Sequence, residues 1–125
     1  MQDLHVAAGE STPSIDSDGQ AGWLSIRGES YPENAFELYR PVIRWIDDWL
    51  SSAPGAFRLR LDLLYLNTSS VRAMMDILDL LERAHLGGRD VAVEWRYEPE
   101  NEQVVELAEE FREDYTMRFA IVPAD

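Results

Sequence analysis

The chain has 125 residues, with 24 acidic against 11 basic side chains and a formal net charge of −13. That length suits one domain with a real core, and 46% apolar residues favour folding over disorder. The charge argues against nucleic acid and anionic membrane surfaces, which need clustered positive charge, and the absence of cysteine excludes disulfides, a thiol nucleophile and Cys-ligated zinc.

The N-terminal M-Q-D-L-H-V-A-A-G-E has neither a basic leader nor a long apolar core, so no signal peptide is expected. No uncharged apolar run approaches a membrane span. A cytoplasmic protein without direct membrane insertion is the expectation. Residues 3–8 and 12–17, punctuated by Gly9 and Pro13, read as edge strands or a loose hairpin. S-D-G-Q-A-G is a turn, and Trp23 to Gly28 alternates as a strand.

E-S-Y-P-E-N follows. Pro32 fits a first helical turn, and Asn34 with Glu37 has the spacing of a capping box. Phe36, Tyr39, Ile43, Ile46 and Leu50 step at three and four residues, which predicts a helix reaching Ser51. Pro41 lacks a backbone donor and predicts a kink. Trp45 and Trp49 fall on a neighbouring face. They either widen the core stripe or form an exposed aromatic anchor.

S-A-P-G breaks the helix. Phe57 to Leu66 alternates and then turns wholly apolar, as a strand does that is exposed on one face at its start and buried on both at its end. After N-T-S-S, the residues Val71, Met74, Met75, Leu78 and Leu81 share a helical face, with both methionines read as core filler. Gly87-Gly88 ends that helix. Asp90 to Tyr97 predicts a strand, Glu102 to Tyr115 an acidic amphipathic helix using Val105, Leu107, Ala108 and Phe111, and Arg118 to Val122 a last strand. The order predicts a single α/β domain over residues 1–125, a mixed sheet with helical crossovers packed on it.

Catalytic and metal-binding patterns are sparse. His5 and His85 stand in unlike settings, with no nucleophile-elbow motif to support a triad. His85 with Asp79 or Glu82 has helical spacing, which a solvated face explains. The consecutive pairs Asp47-Asp48 and Glu109-Glu110 point apart on helices. There is no phosphate-binding glycine motif. G-G-R-D at 87–90 is superficially like the G-G-D-E-F signature of diguanylate cyclases, but it lacks the acidic pair and lies between a helix end and a strand start. The expectation is no enzyme, no cofactor and no metal.

The junction Asn67, Thr68, Ser69, Ser70 holds more capping chemistry than one helix needs. One of these residues must cap, contributing about 1 kcal/mol. A helix start also offers unpaired N–H groups and the positive end of the dipole. A phosphate on an exposed hydroxyl there would be locally tolerated, with Arg72 placed to help hold it.

The strand, polar junction and helix resemble the phosphorylation site of STAS-type anti-sigma-factor antagonists, although Asn67 stands where an Asp is usual and Ser70 replaces a Gly. A fuller resemblance covers nearly the whole chain. G-E-S-Y-P-E-N (28–34), L-D-L-L-Y-L-N-T-S-S-V-R (61–72) and V-E-W-R-Y (93–97) are similar to the SiaC family of regulatory phosphoproteins. This resemblance implies a STAS-like fold and a partner switch. A serine/threonine kinase (SiaB-like) would phosphorylate Thr68, and a membrane-linked PP2C-type phosphatase (SiaA-like) would reverse it. The unphosphorylated form would bind and activate a GGDEF diguanylate cyclase (SiaD-like), raising cyclic di-GMP and promoting biofilm formation. Asn67, Ser69, Ser70 and Arg72 would surround the switch. Glu29, Tyr31 and Pro32 are expected beside it, because strand-to-helix junctions gather at one sheet edge; the alternative makes Tyr31 a hydrophobic staple and Pro32 a helix starter. Rival readings are a STAS-type antagonist acting on a sigma-factor system, and a small-ligand sensor with its pocket between the sheet and the Trp45/Trp49 helix.

Overall fold

Apolar side chains at every second position build the sheet, and each turn signal hands the chain to the next element. The computed structural model describes residues 2–124. Its elements are β1 (His5–Val6), β2 (Ser14–Asp18), β3 (Trp23–Ser30), α1 (Ala35–Ser52), β4 (Phe57–Leu66), α2 (Thr68–Leu86), β5 (Val91–Tyr97), α3 (Glu102–Glu113) and β6 (Arg118–Pro123). The strands form one sheet in the order β1-β2-β3-β4-β5-β6. β1, β2 and β3 run antiparallel, and β3 to β6 run parallel.

This order decides which face is covered. Each parallel connection steps one strand in the same direction, and β–α–β crossovers are right-handed. All three helices therefore land on one face. Leu24, Leu59 and Val93 lie in one row of that face, and Ile26, Leu61 and Trp95 in the next. These are buried, and the buried side chains of all three helices join them in one cluster. The alternate positions Arg58, Arg60, Asp62 and Glu94 are half-buried or exposed on the other face.

Trp45 and Trp49 belong to the core, 4% and 3% exposed, with ring centroids 6.2 and 5.2 Å from Phe57. They fill the space between α1 and the sheet. The inward stripe of α1 is Ala35, Tyr39, Val42, Trp45, Ile46 and Trp49. Of the stripe expected from sequence, Tyr39 and Ile46 face the core, but Phe36 is exposed and Ile43 and Leu50 are only half-buried, because the bulkier tryptophans take the neighbouring inner positions. α1 runs unbroken through Pro41, which sits on its exposed side. The carbonyl deprived of its donor there can be met by water.

Three further expectations are corrected. Pro32 precedes the N-cap Asn34 and lies outside α1. Met74 is core, but Met75 is exposed. α3 ends at Glu113 and buries Val104, with Val105 only half-buried.

The end of β4 is also not buried on both faces. Gly28 pairs with Leu63, while the next residue of β3, Glu29, pairs with Tyr65. Leu64 is thus an extra residue, and the ladder bulges around it. Inward residues run Phe57, Leu59, Leu61, Leu63 and then Leu66. The phase flips at the bulge, so Tyr65 points outward where unbroken alternation would bury it. On the partner strand Gly28 has φ +117°, a conformation strained for any residue with a Cβ.

Candidate functional site

The three helices all begin at one edge of the sheet, since each parallel strand ends there. Each starts from an asparagine N-cap: Asn34, Asn67 and Asn101 accept from the N–H groups of Glu37, Ser70 and Val104. Two of these caps also lace the edge together. Asn67 Nδ2 donates to the Pro32 carbonyl at 3.0 Å, and Asn101 Nδ2 donates to the Leu64 carbonyl at 2.9 Å.

Asn67 answers which residue caps α2. Its Oδ1 accepts the Ser70 N–H at 2.9 Å and the Ser69 hydroxyl at 3.3 Å. The Thr68 side chain is not needed for capping and is exposed at the first helical position. Ser69 is half-buried. Ser70 is fully buried, its Oγ 2.7 Å from Ser30 Oγ, which in turn accepts the Tyr39 hydroxyl at 2.8 Å. Burial pushes the Tyr39 hydroxyl up to about 12, against the opposing pull of its bond to Ser30. The surplus of polar groups thus divides into a cap, an exposed hydroxyl, a half-buried one and a buried structural link.

The other expected residues gather around this point. Asn67 N–H donates to the Ser30 carbonyl at 2.9 Å, fixing the β3–α1 loop with Pro32 to the head of α2. Tyr31 is 40% exposed, and its ring meets Tyr65 edge-on at 6.1 Å. Its hydroxyl donates to the Glu10 carbonyl at 2.9 Å and its N–H to the Ser11 carbonyl at 2.8 Å. It is therefore neither a staple of α1 nor a free side chain. Glu29 is exposed and lies across from Tyr65. Arg72 is exposed one turn along α2 from Thr68.

Sequence reasoning named Tyr31 but missed the rest of the apolar part of this surface. The exposed large apolar side chains include Tyr31, Leu64, Tyr65 and Phe36 at or near the junction, and Met75 on the same helical stripe as Thr68. Tyr65 is 50% exposed. Tyr31 and Tyr65 touch there, and exposed apolar side chains beside a polar centre are docking chemistry. The missed signal was the phase slip in L-D-L-L-Y-L, where apolar alternation skips from Leu63 to Leu66.

Elsewhere the polar groups hold the fold. Glu82 accepts from the N–H groups of Thr116 and Met117 and from the Thr116 hydroxyl. Burial alone would raise its carboxyl, but these bonds outweigh it and hold it below the usual range. Burial, reinforced by Asp79, raises the Tyr115 hydroxyl that donates to Asp79 at 2.8 Å. Asp79 and Glu82 are thus engaged in structural hydrogen bonds, with His85 adding to the field that holds the Glu82 carboxyl down, and His5 pairs with Asp16 at 3.2 Å. Among the described residues, no group of three or more His, Cys, Asp or Glu could hold a metal ion. Arg89 of G-G-R-D donates to the carbonyls of Leu50, Ala53 and Gly55, so that segment closes the end of α1.

Comparison with known proteins agrees with this geometry. The family model described as "SiaC family regulatory phosphoprotein" matches residues 6–124. An uncharacterized protein of Pseudomonas aeruginosa (strain UCBPP-PA14) is 56% identical over 125 residues, spanning 100% of this chain and 99% of the relative. The crystal structure of apo-SiaC from Pseudomonas aeruginosa is similar at a TM-score of 0.92 and 55% identity, covering 98% of this chain and 99% of that one. The crystal structure of the diguanylate cyclase SiaD in complex with its activator SiaC, from Pseudomonas aeruginosa, holds a chain similar at a TM-score of 0.94 and 56% identity, covering 98% and 100%.

Proposed function

This chain belongs to the SiaC family of regulatory phosphoproteins, and we propose that it is a non-enzymatic, cytoplasmic partner switch set by reversible phosphorylation of Thr68. The unphosphorylated form binds and activates a GGDEF diguanylate cyclase. A SiaB-like serine/threonine kinase adds the phosphate, and a SiaA-like PP2C-type phosphatase removes it. The reading needs no cofactor and no nucleic acid. No helix among the described residues is long and apolar enough to cross a membrane.

The observation that carries this reading is the division of labour at the start of α2. Asn67 caps the helix, which leaves the exposed Thr68 hydroxyl free to be esterified without uncapping it. Ser70 is buried and bonded to Ser30, so a kinase has no access to it without opening the core. The likeness to the activator in the SiaD complex supports a cyclase as partner.

Docking covers a surface that is neutral at Asn67 to Ser70 and apolar at Tyr31, Leu64 and Tyr65. A phosphate adds about −1.5 to −2 charges there. Desolvating that dianion is costly, and the chain already carries −13. Each 1.4 kcal/mol or so of lost binding is about tenfold in affinity. The phosphate therefore acts by blocking the interface, with the fold unchanged.

The test is co-purification of the cyclase with two variants. Thr68→Ala retains the cyclase and Thr68→Glu loses it, with similar melting temperatures. Equal retention by both removes Thr68 from the mechanism, and a rearranged core in the phosphorylated protein removes blockade. An effect confined to Ser69 variants moves the site to Ser69.

A further inference from the structure

Capping needs only an acceptor, and Asn, Asp and Ser serve about equally well. Asn67 uses more than that. Its Oδ1 accepts from Ser70 while its Nδ2 donates to the Pro32 carbonyl, and its backbone N–H donates to the Ser30 carbonyl. An Asp would set a carboxylate oxygen against the Pro32 carbonyl. A Ser hydroxyl is too short to cap the helix and reach Pro32 together. Only the amide accepts with one atom and donates with the other across this gap.

We infer that Asn67 is a positioning residue: it ties the Tyr31–Pro32 loop to the first turn of α2, so that the aromatic arm and Thr68 meet a partner as one rigid surface. The inference rests on the reading of this edge as the docking surface. The buried Ser70–Ser30 link, with Tyr39 behind it, is a second tie between the same two segments. Tyr31 lies one residue from each carbonyl that Asn67 holds. A surface fixed before binding loses less conformational freedom when its partner arrives.

The experiment compares the full chain carrying Asn67→Ser, Asn67→Asp or Asn67→Ala with the unmodified protein. Two quantities are read: hydrogen–deuterium exchange over residues 29–34, and affinity for purified SiaD of Pseudomonas aeruginosa. Ser and Asp keep the cap, so their melting temperatures stay close to the original. Both are expected to show exchange in the loop faster by about tenfold or more and affinity lower by about tenfold. The neutral Ser variant separates loss of the donor from added charge. Unchanged loop exchange in Asn67→Ser overturns the tie, and faster exchange with unchanged affinity overturns its role in docking. If the unmodified chain does not bind the cyclase, the partner reading fails, and loop exchange still decides the tie.

Discussion

The three hydroxyls after Asn67 differ by one residue each in sequence and by their whole environment in space. Thr68 is exposed, Ser69 half-buried and Ser70 buried. Ser70→Ala removes the partner of Ser30 inside the core, and a buried hydrogen bond of this kind contributes about 1 kcal/mol. The variant is expected to lower stability by about that amount in denaturant titration. Tyr39 gives a prediction in pH. Its hydroxyl is raised from 10.0 to about 12 in the fold, so the folded state resists deprotonation that the unfolded chain accepts. That contribution is complete below pH 10 and is lost as pH rises towards 12. Thermal unfolding across this range should fall less steeply in Tyr39→Phe than in the original chain. The sequence showed that the junction holds a cap and a candidate switch. It could not assign them, because any of the four side chains can cap a helix start, and only the position of Ser30 beneath Ser70 removes one from the surface.

At the scale of elements, the bulge in β4 turns a run of core-like residues outward, into the surface proposed for docking. Tyr65→Ala is expected to weaken cyclase binding by about 1–3 kcal/mol while leaving the melting temperature nearly unchanged, since the ring is half-exposed. Gly28→Ala should instead destabilise the domain by about 1 kcal/mol or more, because φ +117° strains any Cβ-bearing residue. A control lies at the opposite end of α1. There Arg89 donates to three carbonyls and stacks over Trp49, with its guanidinium 5.0 Å from the ring centroid. Arg89→Lys loses the planar fork and the stacking. It should cost about 1–3 kcal/mol of stability with cyclase affinity unchanged. Element types and order were legible from periodicity. The faces were less so: α1 offers two adjacent apolar stripes, and nothing local says that Trp45 and Trp49 outcompete Phe36 and Leu50 for the sheet.

At the scale of the molecule, a sheet built in one direction places all three helices on one face and all three helix starts at one edge. Chain order alone implied parallel strands and crossovers. The gathering of Tyr31, Tyr65 and Thr68 required the registers of β3 and β4, which bring residues more than thirty positions apart within contact. The sequence by itself determined an acidic, cysteine-free α/β chain, three helices with caps at the first two, and the junction at Asn67 to Ser70 as its most unusual feature. Local rules suffice for these, since caps, turns and periodicity act over a few residues. Only the tertiary structure decided which hydroxyl is free, that Leu64 and Tyr65 face outward, and that Asn67 holds the β3–α1 loop to the head of α2. Each depends on where a distant backbone carbonyl or side chain lies, and that is set by strand register and packing.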